Sequence, residues 1–394
     1  MRIALFTTEF PYVRADTGEI TYMDGGVGNA TLQLARHLER RGHEIIVFTS
    51  ANDAFGSVER RGGIEVRRYP RTGTVGQTPV AASLLYRPLI SGVDADLAHA
   101  HMGNLPAPLT ACWYAKTKKI PLVTTYHNDW MNGFGSLSRR AGVFLFNHYF
   151  CDRILSRSDR IIALSENHAR SSKFLRKYRD AVTIIPNGVD VPELNTSLSK
   201  EVCRETLGLP PGAPIILFVG NLTPMKAPEV LLNALARVAV EMPDVCAVFV
   251  GDGALRPSLI ERSEALGLRE RALFPGAVYD ERKSMYYRAA DVFVLPSVSE
   301  SFGLVLLEAS ASGLPLVVSD LEPLRALVRE GYNGVFAPPG DAKELADRIL
   351  SLLQDDRLRE RMGENAKRHL EQHQKAFSWE RIAELTEDVY RAVL

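Results

Sequence analysis

Residues 290–315, ADVFVLPSVSESFGLVLLEASASGLP, contain the signals that decide the fold. The apolar run at 291–297 predicts a buried strand, and the helical pattern at 303–312 ends at Gly313 and Pro315, two residues that stop helices. A strand that leads directly into a helix is typical of an α/β protein with a parallel sheet.

Glu308 lies within this predicted helix, among side chains that are apolar nearly all round. Such a helix is buried, and a carboxylate buried there is costly unless something hydrogen-bonds it. Glu300 precedes the turn Ser301-Phe302-Gly303, where the free N–H groups of a helix N-terminus suit a phosphate. Two acids around such a turn favour a ligand with an anionic centre and hydroxyl-bearing ends, as in a nucleotide-sugar. The alternative is an ordinary helix start, with a surface Glu300 and a salt-bridged core Glu308.

The composition is that of a soluble globular protein. The chain has 394 residues, 46% hydrophobic and 24% charged, which predicts two domains or more. No apolar run reaches the roughly 18 residues of a membrane span. The N-terminal MRIALFTTEF predicts a strand rather than a signal peptide. The four cysteines are widely spaced, which fits packed thiols in an intracellular protein better than a disulfide framework or a zinc site.

The net charge is zero, but it is divided unequally along the chain. Residues 1–190 carry 24 Lys and Arg against 17 Asp and Glu, a balance of +7, and the remainder balances at −7. The basic half could attract an anionic acceptor or the anionic cytoplasmic leaflet, or the two halves could simply attract each other. The basic and aromatic segment 137–157 is either an interfacial helix or a helix packed on the first sheet.

Strands and helices alternate along the chain, which predicts two Rossmann-like halves with parallel sheets. In the first half, strands are expected at 2–8, 44–50, 96–101, 121–127, 160–165 and 182–186, and helices at 28–41, 138–156 and 166–177. A stretch rich in Pro, Gly and Asn at 184–198 predicts a linker. In the second half, strands are expected at 214–220, 247–253, 272–275, 291–296, 315–319 and 334–337. Helices are expected there at 227–241, 255–266, 281–289, 303–312 and 341–353, with a last one at 378–392.

Other candidate ligand-binding residues follow predicted strands. Gly25 and Gly26 open a helix, where glycine lets the backbone approach a ligand. His127 ends a strand and could bond a sugar hydroxyl, and Lys226 could neutralise a diphosphate. Gly251 belongs to a second glycine turn. The alternatives are a flexible loop, a satisfied structural histidine and a solvated lysine.

His99 and His101 lie two residues apart on a predicted strand and so share one face. No Cys or carboxylate pattern completes a metal site around them, and we expect them to be packing residues.

With these motifs in this order and spacing, the chain resembles the retaining glycosyltransferases of family 4, which have the GT-B fold. The matching stretches cover almost the whole length and are GGVGNATLQLARHLERRGHEIIVFT, LVTTYHND, IIPNGVD, VGNLTPMK, VGDG, ESFGLVLLE and PPGDAKELA. The resemblance implies an α/β protein with two Rossmann-like domains facing across a cleft. These would be an acceptor-side domain at 1–190, on which a last helix at 378–394 packs back, and a nucleotide-sugar-binding domain at 191–377.

The resemblance also implies roles for individual residues. Glu308 would hold the ribose hydroxyls, Glu300 would touch the donor sugar, and Lys226 would balance the departing diphosphate. His127 would bond the transferred sugar near its reacting carbon, and Gly26 would approach the donor through its backbone. The other donor-binding positions would be Gly25, Asn221, Gly251, Val278, Phe302, Gly303 and Leu304.

The chain departs from the family pattern at two places. Asn221 stands where the family often has Arg, so Lys226 and helix dipoles, or another base such as Arg325, would carry more of the phosphate charge. The run Leu321-Glu322-Pro323 replaces glycines that are common in the family.

The expected protein is therefore a cytoplasmic enzyme, with peripheral contact to the inner membrane face as an option. It would move a hexosyl group from a UDP-sugar or GDP-mannose to a hydroxyl of a glycan, lipid or small molecule, with retained anomeric configuration. The resemblance implies no metal, because in the GT-B fold a Lys and helix dipoles normally neutralise the leaving group, and the absence of a D-x-D motif at a strand end agrees with this. We expect no cofactor beyond the nucleotide-sugar co-substrate, and nucleic acid is not an expected partner. A sugar-nucleotide epimerase on the same fold and a non-catalytic nucleotide-sugar-binding protein are the alternatives.

Overall fold

The computed structural model describes residues 1–13, 20–22, 25–75, 78–130, 137–189 and 197–394. The chain divides into two compact units, and each is an α/β structure. The first comprises Met1–Gly188 and Ala376–Leu394, and the second comprises Val189–Lys375. None of the helices in the described part of the chain combines the length and the apolar character that a bilayer span requires.

The first unit is built on an eight-stranded sheet with two small hairpins beside it. Its strands are β1 (Arg2–Phe6), β2 (Tyr12–Val13), β3 (Ile20–Tyr22), β4 (Glu44–Ser50), β5 (Ser57–Arg61), β6 (Ile64–Tyr69), β7 (Gly73–Val75), β8 (Thr78–Val80), β9 (Leu97–Met102), β10 (Leu122–Tyr126), β11 (Arg160–Ala163) and β12 (Val182–Ile184). The order in the large sheet is β12-β11-β10-β9-β1-β4-β6-β5, with only β5 antiparallel to its neighbour. The parallel strands thus follow the doubly wound order of Rossmann-like sheets.

Six helices of the first unit precede the second unit in the described part of the chain. They are α1 (Gly25–Arg40), α2 (Arg87–Ile90), α3 (Ala107–Lys118), α4 (Leu137–Leu145), α5 (Cys151–Leu155) and α6 (Glu166–Ser171). The continuous helix expected at 138–156 is wrong, because a π turn at Phe146–Phe150 separates α4 from α5. Within that turn the Asn147 side chain is buried and donates to the Trp130 carbonyl at 2.9 Å. A π turn widens the helix by one residue and so re-aims the side chains that follow it.

The observed helix is shorter than the one expected at 166–177, and the conformation of one residue explains the difference. It ends at Ser171, since Ser172 adopts an extended conformation and its hydroxyl donates to Asp129 at 2.6 Å. The β5–β6 hairpin was not expected, because the sequence of β5, SVERR, lacks an apolar alternation.

The second unit has a six-stranded, fully parallel sheet. Its strands are β13 (Ile215–Val219), β14 (Cys246–Val250), β15 (Ala272–Gly276), β16 (Val292–Leu295), β17 (Leu316–Ser319) and β18 (Gly334–Ala337). The order is β15-β14-β13-β16-β17-β18, which is again the Rossmann order. Its helices are α7 (Lys200–Leu207), α8 (Pro228–Glu241), α9 (Arg256–Ala265), α10 (Asp280–Ala289), α11 (Leu304–Ala311), α12 (Ala342–Leu353) and α13 (Asp356–Phe377).

A last helix, α14 (Trp379–Arg391), belongs to the first unit. Ser378 caps it by accepting from the Arg381 N–H, and this capping separates it from α13. Trp379, Ile382 and Tyr390 are buried in one core cluster with side chains of α1 and β1. The end of the chain therefore completes the apolar core of the first unit.

Candidate active site

The order of each sheet marks a place where a ligand can bind. In the second unit the order reverses between β13 and β16, and in the first unit between β1 and β9. Loops that leave neighbouring strands at such a point run in opposite directions and open a crevice at the carboxyl ends of the strands. The loop from β13 to α8 carries Lys226, and the loop from β16 to α11 carries Glu300.

Lys226 and Glu300 form an ion pair between these two loops, through Nζ and Oε2. The Glu300 side chain is 8% exposed and that of Lys226 is 26% exposed. The loops are also joined by their backbones, since Val298 donates its N–H to the Met225 carbonyl at 2.9 Å. A cation and an acceptor are thus held side by side at the carboxyl ends of the strands.

The turn after Glu300 leads into α11 through a residue that must be glycine. Gly303 has φ +85° and ψ +56°, and a Cβ there would come within 3.0 Å of the Leu306 and Leu324 methyl groups. Phe302 is buried, and the cap residue of α11, Gly303, has no side chain that could cap the helix. The N-terminal backbone of α11, which begins at Leu304, therefore retains its positive end for an anion.

Glu308 lies one turn further along α11 and has two hydrogen-bond partners among the residues that the structure describes. Lys283 donates to its Oε1 at 2.8 Å, and the hydroxyl of Tyr287 donates to its Oε2 at 2.7 Å. Burial, with the Glu308 charge as a second cause, raises the pKa of Tyr287 well above its usual value, which keeps this hydroxyl a donor. The burial of Glu308 is thus explained by an ion pair and does not by itself require a ligand. Each carboxylate oxygen still has a lone pair available for a hydroxyl.

Lys283 and Tyr287 are the site residues that sequence reasoning missed. They are four residues apart on α10, so they lie on one face of that helix. That spacing was visible in the sequence, but nothing local indicates that this face meets α11.

The other expected donor-binding positions of the second unit lie on loops around the same strand ends. Asn221 is exposed two residues after the end of β13, and Val278 is half-buried between β15 and α10. Gly251 follows β14, and a Cβ on it would lie 2.0 Å from the Gly220 carbonyl oxygen, so packing alone requires this glycine. Arg325 already pairs with Asp320 at 2.6 Å.

In the first unit, Gly25 and Gly26 begin α1. A Cβ on Gly26 would meet no described atom within 4 Å. The described part of the protein therefore gives no packing reason for glycine there, and close approach of a ligand stays a prediction.

His127 directly follows β10 and belongs to a buried group of imidazoles. Its Nε2 is 3.0 Å from Nδ1 of His101, and the His101 ring stacks on that of His99 with centroids 4.5 Å apart. His99 contacts the Tyr390 hydroxyl at 2.6 Å and the Thr125 hydroxyl at 2.8 Å. The expectation that His99 and His101 are packing residues fits this arrangement, and His101 in addition contacts His127.

Burial keeps these imidazoles neutral. It lowers the pKa of His99 and of His127 to about 3, and that of His101 well below its usual value. The neighbouring histidines lower them further, and His168 does so for His127. The described residues contain no group of three or more His, Cys, Asp or Glu arranged to hold a metal ion.

The chain matches two family models that together span most of its length. The model described as Glycosyltransferase Family 4 matches residues 24–193, and that of Glycosyl transferases group 1 matches residues 199–369. A phosphatidyl-myo-inositol mannosyltransferase of Mycobacterium leprae is 35% identical, with 86% of each chain covered. A D-inositol 3-phosphate glycosyltransferase of Nocardia farcinica is 32% identical and covers 100% of this chain and 90% of its own.

Solved structures of low sequence identity share the fold. A sucrose-phosphate synthase from Thermosynechococcus elongatus has a TM-score of 0.76 at 23% identity, covering 99% of this chain and 98% of its own. The Anabaena protein HepE in complex with UDP-glucose has a TM-score of 0.74 at 22% identity over the whole of both chains. The expected GT-B fold with two Rossmann-like units is confirmed.

The histidine cluster predicts a loss of stability in mild acid. Since the folded-state pKa values of His99, His101 and His127 lie below 6.5, the unfolded chain takes up protons first as the pH falls from about 6.5 towards 3. Each histidine should lower the free energy of unfolding by up to about 1.4 kcal/mol per pH unit in that window, with the contribution fully present above it. Urea unfolding at pH 7.5, 6.5 and 5.5 measures the slope.

His99→Gln should reduce that slope by the contribution of about one proton, which is about 1.4 kcal/mol per pH unit at most. His148→Gln, a change at an exposed histidine, should leave the slope unaltered. An equal slope in wild type and His99→Gln would contradict the burial argument.

Proposed function

The chain belongs to glycosyltransferase family 4, and we propose that it transfers a hexosyl group from a nucleotide-sugar to an acceptor hydroxyl with retention of anomeric configuration. The observation that carries the proposal is the Lys226–Glu300 pair beside the uncapped start of α11. A diphosphate needs a cation and helix N–H groups, and the adjoining sugar needs an acceptor for its hydroxyls. Both requirements meet at the carboxyl ends of β13 and β16.

The donor is a UDP-sugar or GDP-mannose. The name of the Mycobacterium leprae relative states a mannosyl group, and one structural neighbour holds UDP-glucose. Glu308 would accept from the ribose hydroxyls, with Lys283 and Tyr287 fixing the orientation of its carboxylate. The backbone from Phe302 to Leu304 would meet the diphosphate or the sugar.

The acceptor is a hydroxyl of a glycan, a lipid or a small molecule. Two relatives carry inositol-based names, which makes myo-inositol phosphates and phosphatidylinositol the first acceptors to assay. His127 would bond the transferred sugar near its reacting carbon, and Gly26 would approach the donor through its backbone.

Lys226 and the dipole of α11 would neutralise the leaving diphosphate, so the proposal includes neither a metal nor a cofactor. The leaving phosphate itself would help deprotonate the acceptor hydroxyl on the same face of the sugar.

Incubation with UDP-glucose or GDP-mannose, with and without acceptors, tests this function. We expect a glycosylated product with retained configuration, only when acceptor is present, and undiminished in excess EDTA. Free nucleotide with an epimerised sugar and no acceptor would establish an epimerase. Binding without turnover of any donor would establish a non-catalytic protein, and abolition by EDTA with rescue by Mg²⁺ or Mn²⁺ would contradict the metal-independent mechanism.

Glu308→Ala should weaken binding of the nucleotide product at least about tenfold, because a charged acceptor of ribose hydroxyls is lost. Calorimetry should show a smaller loss for the 2′-deoxy nucleotide, which lacks one of those hydroxyls. The control is Lys283→Met, which breaks the ion pair but keeps the carboxylate. Because Lys283 orients the carboxylate, Lys283→Met should weaken ribonucleotide binding, but less than Glu308→Ala does. If folded Glu308→Ala bound the ribonucleotide normally, Glu308 would have only the structural role.

Lys226→Ala should lower kcat by about 10²–10³, since the diphosphate gains charge in the transition state. Donor KM should change less. Asn221→Arg places a second cation on the exposed loop after β13, and in the Lys226→Ala background it should recover part of the rate. The four-variant cycle measures this coupling. A kcat for Lys226→Ala within about threefold of wild type would show that the charge is balanced elsewhere.

Peripheral contact of this cytoplasmic enzyme with the inner membrane face is part of the proposal. Leu137, Phe144 and Tyr149 on α4 and the π turn are 82%, 49% and 51% exposed, and Arg140 and Arg153 are exposed nearby. Apolar side chains next to basic ones suit an anionic lipid surface.

Vesicles that contain phosphatidylserine should therefore float with the protein at low salt and lose it at high salt. Phe144→Ser with Tyr149→Ser should reduce this binding, whereas neutral phosphatidylcholine vesicles serve as the control. No binding to anionic vesicles at low salt would favour a soluble acceptor.

A further inference from the structure

His101 and His127 are held in one fixed relation by neighbouring strands. β9 and β10 pair in parallel with Thr125 opposite His101, so His127 extends two residues past that register position. The Nδ1 of His101 and the Nε2 of His127 are 3.0 Å apart, and the rings are inclined by only 24°. Side chains that are 2% and 4% exposed leave solvent little access to this bond.

The His101 ring is itself held in place by the His99 ring. It stacks on His99, which is anchored by hydrogen bonds to Tyr390 on α14 and Thr125 on β10. Because both nitrogens of His99 are engaged by other groups, His99 supports His101 by contact between rings.

A hydrogen bond between two neutral imidazoles contains one proton, which comes from one ring or from the other. If Nδ1 of His101 donates, His127 carries its own proton on Nδ1 and can donate it to a ligand. If Nε2 of His127 donates, its Nδ1 is a bare acceptor and His101 carries its proton on Nε2. The lowered pKa values of both rings hold them in the neutral state that this alternative requires.

The surroundings of His101 distinguish the two cases. Its Nε2 is buried and has no hydrogen-bond partner among the described residues. His101 also lines a small cavity in which aliphatic side chains such as Ile162 and Ile382 stand beside polar ones such as Asn187 and Thr386, and none of these described side chains hydrogen-bonds its Nε2. A buried N–H without a partner is rarer than an acceptor without one, so the arrangement that leaves a bare nitrogen there is favoured.

The geometry points to His101 as a positioning residue that donates its Nδ1–H to Nε2 of His127 and so fixes the proton of His127 on Nδ1. His127 then presents a neutral N–H donor of fixed direction, suited to an oxygen of the transferred sugar. In the part of the chain described, the only hydrogen bond of His127 is the one at Nε2, so Nδ1 remains for the ligand. The contact between this N–H group and the sugar rests on the role proposed above for His127. The tautomer assignment does not depend on that role.

Ring-nitrogen NMR of the full chain, labelled with ¹⁵N-histidine, reports the tautomer without any substrate. Protonated and bare ring nitrogens resonate far apart, and His127→Gln assigns the His127 signals. We expect His127 with a protonated Nδ1 and a bare Nε2. A protonated Nε2 on His127 overturns the proposal, whatever the activity of the enzyme.

Two substitutions at His101 separate positioning from packing. His101→Asn places an amide N–H near the former Nδ1 and should preserve both the His127 tautomer and kcat within about threefold. His101→Leu removes the donor and should lower kcat about 10- to 100-fold, with a smaller change in donor KM and a mixture of His127 tautomers. Thr125→Val removes a hydrogen bond from His99 in the same cluster and should leave the His127 tautomer unchanged.

Equal loss in His101→Asn and His101→Leu, with the His127 tautomer unaltered in both, would show that His101 only packs and would overturn the positioning role. If no donor is turned over at all, the proposed function fails, and the NMR result still decides the tautomer.

Discussion

The ion pair between Lys226 and Glu300 is the interaction on which the candidate site of the second unit depends. It joins residues 74 positions apart in the chain, and it can form only because β13 and β16 are neighbours in the sheet. The backbone hydrogen bond from Val298 to Met225 fixes the same two loops. A largely buried carboxylate left without its cation is costly, so the pair stabilises the loop arrangement and holds together two groups of opposite charge.

A second ion pair, between Lys283 and Glu308, links α11 to the preceding helix. Glu308 is held by Lys283 and Tyr287, both on α10, so an ion pair and a hydrogen bond join α11 to α10. The two acids of α11 and its preceding turn thus face different partners: Glu300 meets a loop, and Glu308 meets a helix.

The sequence predicts those parts of the structure that depend on local patterns. The strand predicted at 291–296 is observed at Val292–Leu295, and the helix predicted at 303–312 is observed at Leu304–Ala311. Both agree closely because an apolar run and a glycine stop define them. It does not predict the partners of Glu308, because the meeting of α10 with α11 depends on the packing of the whole sheet. It also does not predict the π turn at Phe146–Phe150, where the local sequence continues a helical pattern and the buried Asn147 bonds to the distant Trp130 carbonyl.

The first unit stabilises its candidate residue by the opposite means. Where Lys226 and Glu300 are charged and paired, His127 is buried and neutral, and among the described residues one hydrogen bond fixes it. Its support continues through His101 and His99 to Tyr390 near the end of the chain, and α14 owes its place to the apolar cluster that holds Trp379 and Tyr390. The packing of α14 also requires glycine at position 188, because a Cβ on Gly188 would lie 2.6 Å from the Trp379 ring. The direction of one imidazole is therefore tied, through three aromatic rings, to the docking of the last helix on the first sheet.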